Sequence, residues 1–348
     1  MSTAEGPSDD DGGGTPQPLT IAQLAELAQV SIATVSKVVN GRAQVGAGTR
    51  ALIEGLIREH GYRPRRRRAA AAPLVELAFH AMDGEYLTEI AKGVERVARE
   101  HRLAVVLSQP PHPGTAGEGW IEGVLGRRPT GVIAVFSSLT EAQRDQLATR
   151  RIPLVLLDPE DDPSPRVPSV GANNWNGGLM ATRHLLGLGH RRIAAIAGPD
   201  RALPSRARLD GYRSALDLAG VPADPALIGR GDFLVAGGLA EAERLLRLPD
   251  PPTAIFTCND GQAAGVYRAA YRLGLRIPDE LSVVGFDDLP VVRWMNPPLT
   301  TVRQPLTDMA ATATELLLGL ARGELPARHR IELGTELIVR ESTAPVPG

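Results

Sequence analysis

The sequence is poor in the features that mark secreted and membrane-inserted proteins. Cys258 is the only cysteine, so no internal disulfide can form, and we interpret it as a small buried apolar residue. No run of about 18 apolar residues is present. Residues 1–18 are acidic and rich in glycine and proline, whereas a secretion signal is basic and then apolar. We therefore expect a cytoplasmic protein that does not cross a membrane.

Side-chain sets that support catalysis or cofactor binding are also missing. No glycine-rich phosphate loop of the nucleotide-binding kinds occurs, and the seven histidines do not fall at metal-ligand spacing with cysteine or carboxylates. We expect no enzymatic activity, no cofactor and no metal. An α/β enzyme acting on a sugar is the alternative, and turnover of a candidate sugar would reveal it.

Positive charge is concentrated in one segment of a chain whose formal net charge is −2. Residues 19–72 hold nine Lys and Arg against three Asp and Glu, a balance of +6, while residues 1–18 carry −4. A cationic patch in a short N-terminal unit is typical of a phosphate-binding surface. The near-neutral remainder argues against general affinity for polyanions.

The N-terminal part divides into a tail and a small helical domain. Residues 1–18 lack hydrophobic periodicity, so we expect a disordered tail. Three short helical patterns follow within residues 19–64, at positions 21–28, 32–40 and 49–60. Thr20 and Gln23 form a capping-box pattern before the first helix, and Ser31 is placed to cap the second. The predicted mini-core consists of Leu24, Leu27, Val30, Val35, Val38, Val39, Leu52, Leu56 and Ile57.

We predict that residues 65–73 are a basic and alanine-rich linker. A different pattern of secondary structure begins after it. Apolar runs of strand length alternate with amphipathic helical segments over residues 74–348, which indicates right-handed β-α-β units and parallel sheets. About 275 residues exceed what one such sheet usually needs. We therefore predict two Rossmann-like α/β lobes behind a small all-α helix-turn-helix domain.

The run from 19 to 64 resembles the DNA-binding headpiece of the LacI/GalR family of transcription regulators. The resemblance is carried by Thr20-Ile21, Leu24-Ala25, Val30-Ser31, Thr34-Val35-Ser36, Asn40-Gly41, Thr49-Arg50 and Gly61-Tyr62. It implies that the second helix enters the major groove of DNA. Serine and threonine hydroxyl groups would contact phosphates, and other side chains would contact the edges of the bases. The implied contacts are Thr20, Ser31, Ile32, Ala33, Thr34, Ser36, Lys37 and Asn40.

The hinge departs from the family pattern. Where the family typically inserts a leucine into the minor groove, this chain has Ala71 after four arginines, and alanine is too small to unstack a base step well. Arginines in a narrow minor groove could substitute for it. We therefore add Arg65, Arg66, Arg67, Arg68 and Ala71 to the predicted DNA contacts, with a solvated basic linker as the alternative.

Residues 74 to about 340 resemble the effector domain of the same family and, more distantly, periplasmic sugar-binding proteins. The residues that carry this include Arg208-x-x-Gly211-Tyr212, Asn259-Asp260, Val284-Gly285-Phe286-Asp287-Asp288 and Pro297-Pro298-Leu299-Thr300-Thr301. The resemblance implies an effector-binding and dimerisation domain of two lobes, each built from two separate segments of the chain. Lobe one covers about 74–171 and 304–333, and lobe two covers about 172–303 and 334–343.

In open parallel sheets ligands bind beyond the carboxyl ends of the strands. Asp158, Asn259 and Asp287 each follow an apolar strand run, and Arg208 offers a planar donor fork. The family resemblance adds Tyr86, Leu87 and Phe233 as apolar faces against a sugar ring. The alternative is that Asp158 and Asp287 cap the segments that follow them, and helix capping is an equal alternative for Asn259, Asp260 and Asp288.

Together these patterns predict a sequence-specific transcription regulator. We expect a homodimeric repressor that binds a pseudo-palindromic double-stranded operator and responds allosterically to a small sugar held between the lobes. Two alternatives stay open. One is a regulator of the same kind that responds to a non-sugar metabolite such as a purine, and the other is a sugar-binding protein without a DNA function.

Overall fold

The computed structural model describes residues 20–39, 45–60, 71–79, 84–110, 118–135, 139–160 and 167–346. The chain divides into two compact units, Met1–Ala70 and Ala71–Gly348. The first unit is helical, and the second contains two mostly parallel sheets with helices between their strands. The predicted tail at 1–18 lies outside the described residues.

Three helices form the first unit. They are α1 (Ile21–Leu27), α2 (Ile32–Val39) and α3 (Ala47–His60). Thr20 and Gln23 make the predicted capping box, because the Thr20 side chain accepts from the Gln23 backbone N–H while Gln23 reaches back to the Thr20 N–H at 2.8 Å. Ser31 Oγ accepts from the Thr34 N–H at 3.1 Å and so satisfies a free donor at the start of α2.

The core of this unit differs from the predicted set at two positions. Leu27 and Leu52 are 52% and 51% exposed, so neither belongs to the core. On α3 the buried residue is Ile53 and not Leu52, because the helix is rotated so that Ile53 faces α1 and α2. Among the described residues, the buried apolar side chains of this unit are Leu24, Ala25, Ala28, Val35, Val38 and Ile53.

The first sheet of the second unit has six parallel strands in the order β11-β5-β4-β3-β1-β2. Its strands come from two separate parts of the chain, before residue 173 and after residue 329, and we call this half the first lobe. The strands are β1 (Ala72–Phe79), β2 (Ala104–Ser108), β3 (Pro129–Val135), β4 (Leu154–Leu157), β5 (Ser169–Ala172) and β11 (Arg330–Leu333).

The second sheet has the order β12-β10-β9-β8-β6-β7, and only the β10–β12 pair is antiparallel. We call this half the second lobe. Its strands are β6 (Ile193–Ala197), β7 (Ile228–Arg230), β8 (Ala254–Thr257), β9 (Ser282–Asp287), β10 (Thr300–Arg303) and β12 (Glu336–Ile338). The chain therefore passes between the lobes after β5, after β10 and after β11.

Helices connect the parallel strands in both lobes. They are α4 (Glu85–Glu100), α5 (Glu118–Arg127), α6 (Glu141–Thr149), α7 (Asn174–Gly187), α8 (Leu203–Leu218), α9 (Val235–Leu246), α10 (Asp260–Leu273) and α11 (Leu306–Arg322). Separate apolar clusters fill each lobe, centred on β1, β3 and β4 in the first and on β6, β8 and β9 in the second. None of the helices in the described ranges has the length and hydropathy needed to span a bilayer.

This architecture confirms the predicted fold class, a small helical domain followed by two-lobed α/β structure with parallel strands. Strands and helices alternate over residues 74–348 as predicted, and β1 begins two residues before that range. Seven described strands are only three or four residues long, namely β4, β5, β7, β8, β10, β11 and β12. Strands this short give little apolar alternation, so those without a continuous apolar run, such as β5, β7, β11 and β12, are hard to recognise in a single sequence.

Candidate effector site and DNA-binding surface

The N-terminal end of α2 presents small side chains on its outer surface. Ser31, Ile32 and Ala33 are exposed, with Ile32 at 53%, whereas Thr34, Ser36 and Lys37 are half-buried. Ser31 Oγ and Thr34 Oγ1 lie 2.8 Å apart and share a hydrogen bond. A helix end of this kind offers backbone N–H groups and a partial positive charge to an anion, with little side-chain bulk in the way.

The other predicted DNA contacts divide between described and undescribed residues. Thr20 is exposed at the start of α1, and Ala71 is exposed just before β1. Asn40 and the four arginines Arg65, Arg66, Arg67 and Arg68 lie outside the described residues. Their part in DNA binding stays a prediction.

The predicted effector residues of the second unit gather at the carboxyl ends of the strands. Asp158 follows β4, Asp287 ends β9, and Arg208 lies on α8, which follows β6. Asp158, Phe233 and Asp287 have positive φ angles of 49°, 69° and 119°. Residues other than glycine rarely adopt such angles. Strained backbone of this kind concentrates at binding sites, where it aims a side chain that regular structure would point elsewhere.

Arg208 is the centre of the site. Its Nε donates to Asn174 Oδ1 at 2.8 Å, and its Nη1 donates to the Cys258 carbonyl at 2.5 Å and lies 3.7 Å from Asp287 Oδ1. The guanidinium carbon lies 3.8 Å from the centre of the Phe286 ring. The side chain is 3% exposed. These contacts fix the guanidinium in one orientation.

Close packing of α7 on α8 explains how Arg208 reaches this position. A Cβ on Gly178 would lie 2.0 Å from the Arg208 carbonyl oxygen, and one on Gly211 would lie 2.1 Å from the Trp175 carbonyl oxygen. No side chain fits at either place, so the two glycines allow the helix backbones to touch. This contact brings Arg208 beside Asn174 at the start of α7.

The first lobe contributes a bonded pair, Tyr86 and Asp158. The Tyr86 hydroxyl donates to Asp158 Oδ2 at 3.0 Å. Burial raises the pKa of Asp158, although Arg208 and the Tyr86 hydrogen bond oppose the shift. Burial also raises the pKa of Tyr86 well above its usual value, and Asp158 and Asp287 add to the shift. Burial therefore favours the protonated form of both groups, Arg208 and the Tyr86 hydrogen bond favour the ionised form of Asp158, and Tyr86 stays a donor.

The second lobe contributes two further carboxyl groups, Asp287 beside Arg208 and Asp260, which interacts with Asp287. Burial raises the pKa of Asp287 to about 7, against the opposing effects of Arg208 and of Gln304, whose Nε2 donates to Asp287 Oδ1 at 2.7 Å. Burial and Asp287 raise the pKa of Asp260 well above its usual value. Asp260 accepts from the Thr301 hydroxyl at 2.6 Å and from the Leu289 N–H at 2.9 Å.

Asn174, Gln304 and Asp260 belong to this cluster, and two of them were missed as site residues. Gln304 directly follows β10, so the strand-end rule that selected Asp158 would also have found it, had the strand at 300–303 been recognised. Asn174 gave no signal, because its role depends on where α8 lies. Asp260 was considered as a helix cap, but its side chain instead fixes β10 and the segment after β9.

Three predicted residues have partners within the protein. Asn259 Oδ1 accepts from the Gln262 N–H and caps α10, while its Nδ2 donates to the Phe233 carbonyl at 2.9 Å. Asn259 therefore caps α10, and its part in effector binding stays a prediction. Phe233 is half-buried, and its ring lies over Gly198. Leu87 packs half-buried against the core of the first lobe, one residue after Tyr86.

Two family models match the chain in the order that the fold presents. Residues 20–65 match the model for bacterial regulatory proteins of the lacI family. Residues 182–343 match the model for the periplasmic binding protein-like domain.

The described ranges hold no group of three His, Cys, Asp or Glu side chains placed to ligate a metal ion.

Characterised relatives match over nearly the whole chain. The transcriptional repressor CytR of Escherichia coli is 32% identical over 94% of this chain and 97% of its own length, and the ribose operon repressor of Escherichia coli is 31% identical over 93% and 99%. A solved complex of the transcriptional regulator CelR with cellobiose superposes with a TM-score of 0.73, at 33% identity over 93% of this chain and 99% of that one. The lac repressor dimer bound to its operator and an anti-inducer superposes with a TM-score of 0.69, at 28% identity over 94% and 100%. The chain therefore belongs to the LacI family of DNA-binding transcription regulators, which are not enzymes.

Proposed function

We propose that this protein is a homodimeric repressor that binds a pseudo-palindromic operator and changes its operator affinity when a small sugar occupies the site between the two lobes. The observation that carries the proposal is the buried cluster around Arg208, in which Asp158 of the first lobe interacts with Arg208 and Asn174 of the second. A ligand held there contacts both lobes, so its binding favours one arrangement of the lobes over another.

Features of the helical unit support operator binding. Ser31, Ile32 and Ala33 leave the start of α2 free to enter a major groove, where Ile32 can contact a thymine methyl group. A C2 dimer presents two such helices to two half-sites, which accounts for a pseudo-palindromic operator. An operator on the chromosome also places the protein in the cytoplasm.

Names of the relatives support a sugar as the effector. One relative is a ribose operon repressor, and a structural neighbour holds cellobiose. Chemistry of the cluster agrees, because carboxylate and amide oxygens beside a guanidinium recognise adjacent hydroxyl groups of a sugar. Tyr86 and Phe233 add aromatic surface near the polar groups.

The test combines a thermal-shift screen with operator titrations. Mono- and disaccharides are added to the purified full chain, and a sugar that binds the folded state raises the melting temperature. Each hit is then titrated into a gel-shift assay on genomic operator fragments. We expect at least one sugar to change operator affinity by about 5-fold to 150-fold. Equal, weak binding to all DNA sequences with every sugar would refute the proposal.

Replacing Arg208 tests the cluster itself. Arg208→Met keeps an apolar stem over Phe286 but removes the donor fork, and Asp287 can compensate by taking up a proton. We expect effector affinity to fall by about 100-fold while operator affinity without effector is unchanged. Arg206→Met, an exposed position on the same helix, is the matched control and should leave both affinities unchanged. A normal effector response in Arg208→Met would contradict the assignment.

A further inference from the structure

A buried acid of the first lobe holds the start of the helix that carries Arg208. Glu160 lies three residues after β4 and is 2% exposed, and its carboxylate pairs with Arg201 of the second lobe. Its backbone carbonyl accepts from the Leu203 N–H at 2.9 Å. Because Leu203 is the first residue of α8, Glu160 contacts this helix end through its backbone and the adjacent Arg201 through its side chain.

This contact supplies an acceptor that the start of α8 does not provide for itself. The residue before α8 is Ala202, which has no side-chain oxygen, and none of the described side chains caps this end. Pro204 at the second position has no N–H, so Leu203 offers the first free donor of the helix. The Glu160 carbonyl satisfies that donor. The helix that carries Arg208 is therefore capped from the other lobe.

A second acid of the first lobe holds the segment that follows Asp287. Glu85 is the first residue of α4, and its Oε2 accepts from the Val291 N–H at 2.8 Å. Val291 lies in a 3-10 turn at Pro290–Arg293, shortly after β9 ends at Asp287. Leu289, just before that turn, packs against the apolar cluster of the first lobe. The first lobe therefore touches two second-lobe segments next to predicted effector residues.

We propose that Glu85 and Glu160 are positioning residues, which together hold the two lobes at one separation and so fix how the effector residues of one lobe face those of the other. Both acceptors belong to the first lobe and both donors to the second. The two bonds should therefore break together whenever the lobes separate. The inference rests on the proposed function only where it concerns operator affinity.

The energy of a helix cap sets the size of the effect. Loss of a capping acceptor shifts the corresponding equilibrium by about 5-fold. The ion pair with Arg201 contributes no more than a similar factor, because the arginine side chain is 68% exposed. Removal of either contact should therefore make separation of the lobes about 2-fold to 5-fold more frequent.

The experiment measures hydrogen exchange at the two donor amides. The N–H groups of Leu203 and Val291 have their acceptors in the other lobe, so their exchange rates report how often the lobes separate. Exchange is followed by NMR on the isotope-labelled full chain. Glu85→Ala should speed exchange at Leu203 by about 5-fold, although Glu85 bonds a different segment. Arg201→Met should in turn speed exchange at Val291 by about 2-fold to 5-fold.

Two further variants distinguish this role from a local one. Glu95→Ala removes an acid of the same helix that pairs with Arg99 at 3.6 Å, and it should leave exchange at Leu203 unchanged. Glu85→Gln keeps an acceptor for Val291 and should restore most of the protection that Glu85→Ala loses. A purely local role for Glu85 would alter exchange at Val291 alone. Unchanged exchange at Leu203 in Glu85→Ala therefore overturns the inference.

Gel-shift titrations of the same variants separate the inference from the proposed function. Under that function the arrangement of the lobes controls operator affinity, so Glu85→Ala should change operator affinity without effector by about 2-fold to 5-fold. Arg206→Met, an exposed position on α8, should change neither operator affinity nor exchange. Faster exchange at Leu203 with unchanged operator affinity would support the inference and contradict the proposed allosteric control.

Discussion

The two binding regions of this protein are built in opposite ways. At the start of α2 the first three side chains predicted to meet DNA, Ser31, Ile32 and Ala33, are exposed, and the hydrogen bonds there join Ser31 and Thr34, three positions apart. Around Arg208 most of the side chains are buried, and they bond to residues 17 to 72 positions away. The first surface depends on local sequence, whereas the second depends on how distant elements pack.

This difference determines what a single substitution can do in each region. Among the described residues of the helical unit, six apolar side chains form the buried core, so its fold is sensitive to loss of one of them. The second unit is supported by several larger apolar clusters, and its binding residues lie at the edge of them. We expect core changes to dominate in the helical unit and changes of charge to dominate in the cleft.

The largest effect is expected from Ile53→Ala. Ile53 is fully buried between the three helices, and truncating such a side chain costs about 2–5 kcal/mol of unfolding free energy. We expect the helical unit to unfold and operator binding to disappear in gel-shift titrations. Thermal shifts caused by the effector should remain, because they report on the second unit.

Leu52→Ala is the matched control, one residue earlier and 51% exposed. It should change stability by less than about 0.5 kcal/mol and leave operator binding intact. Equal loss of binding in both variants would mean that Leu52 also belongs to the core. It would also remove the contrast between a fragile helical unit and a robust effector unit.

Sequence reasoning succeeded where local chemistry decides the structure. The capping box at Thr20 and the cap at Ser31 each depend on residues within three positions, and both occur in the structure as predicted. It failed for Leu27 and Leu52, since apolar residues on the edge of a helical stripe do not reveal how far the helix is rotated. Only packing between the helices makes that choice.

In the second unit the alternation of strands and helices was enough to predict two parallel lobes. The strand-end rule selected Asp158, Asn259 and Asp287, all three of which follow or end a strand. It missed Asn174 because that residue meets Arg208 only through the α7–α8 contact. Long-range contacts of this kind carry no signal in one sequence.

The next largest effect is expected from a change of pH, which should alter effector affinity through Asp287. The pKa of Asp287 is raised to about 7 by burial, and its ionised form is the better acceptor for ligand hydroxyl groups. Effector affinity should therefore be nearly full at pH 8 and fall as pH drops through 7, by at most about tenfold per unit. Calorimetric titrations from pH 8 to pH 6 measure this directly.

Asp287→Asn supplies the control for this titration, since an amide does not ionise in that range. Its effector affinity should be lower than that of the unaltered chain at pH 8 and should vary little with pH. A steep pH dependence that survives in Asp287→Asn would assign the titration to another group, such as Asp158, whose pKa is also raised by burial.

The smallest effect is expected from Gly55→Ala in the middle of α3. No atom lies within 4 Å of the added Cβ, so the substitution should stabilise the helical unit by about 0.5–1 kcal/mol. Gly274→Ala is the control in the effector unit, because its surroundings are equally open but its φ is +71°, and we expect about 1 kcal/mol of destabilisation there. Chemical denaturation followed by circular dichroism measures both changes. If Gly55→Ala also altered the effector titration, the two regions would not respond independently, and the contrast drawn between them would fail.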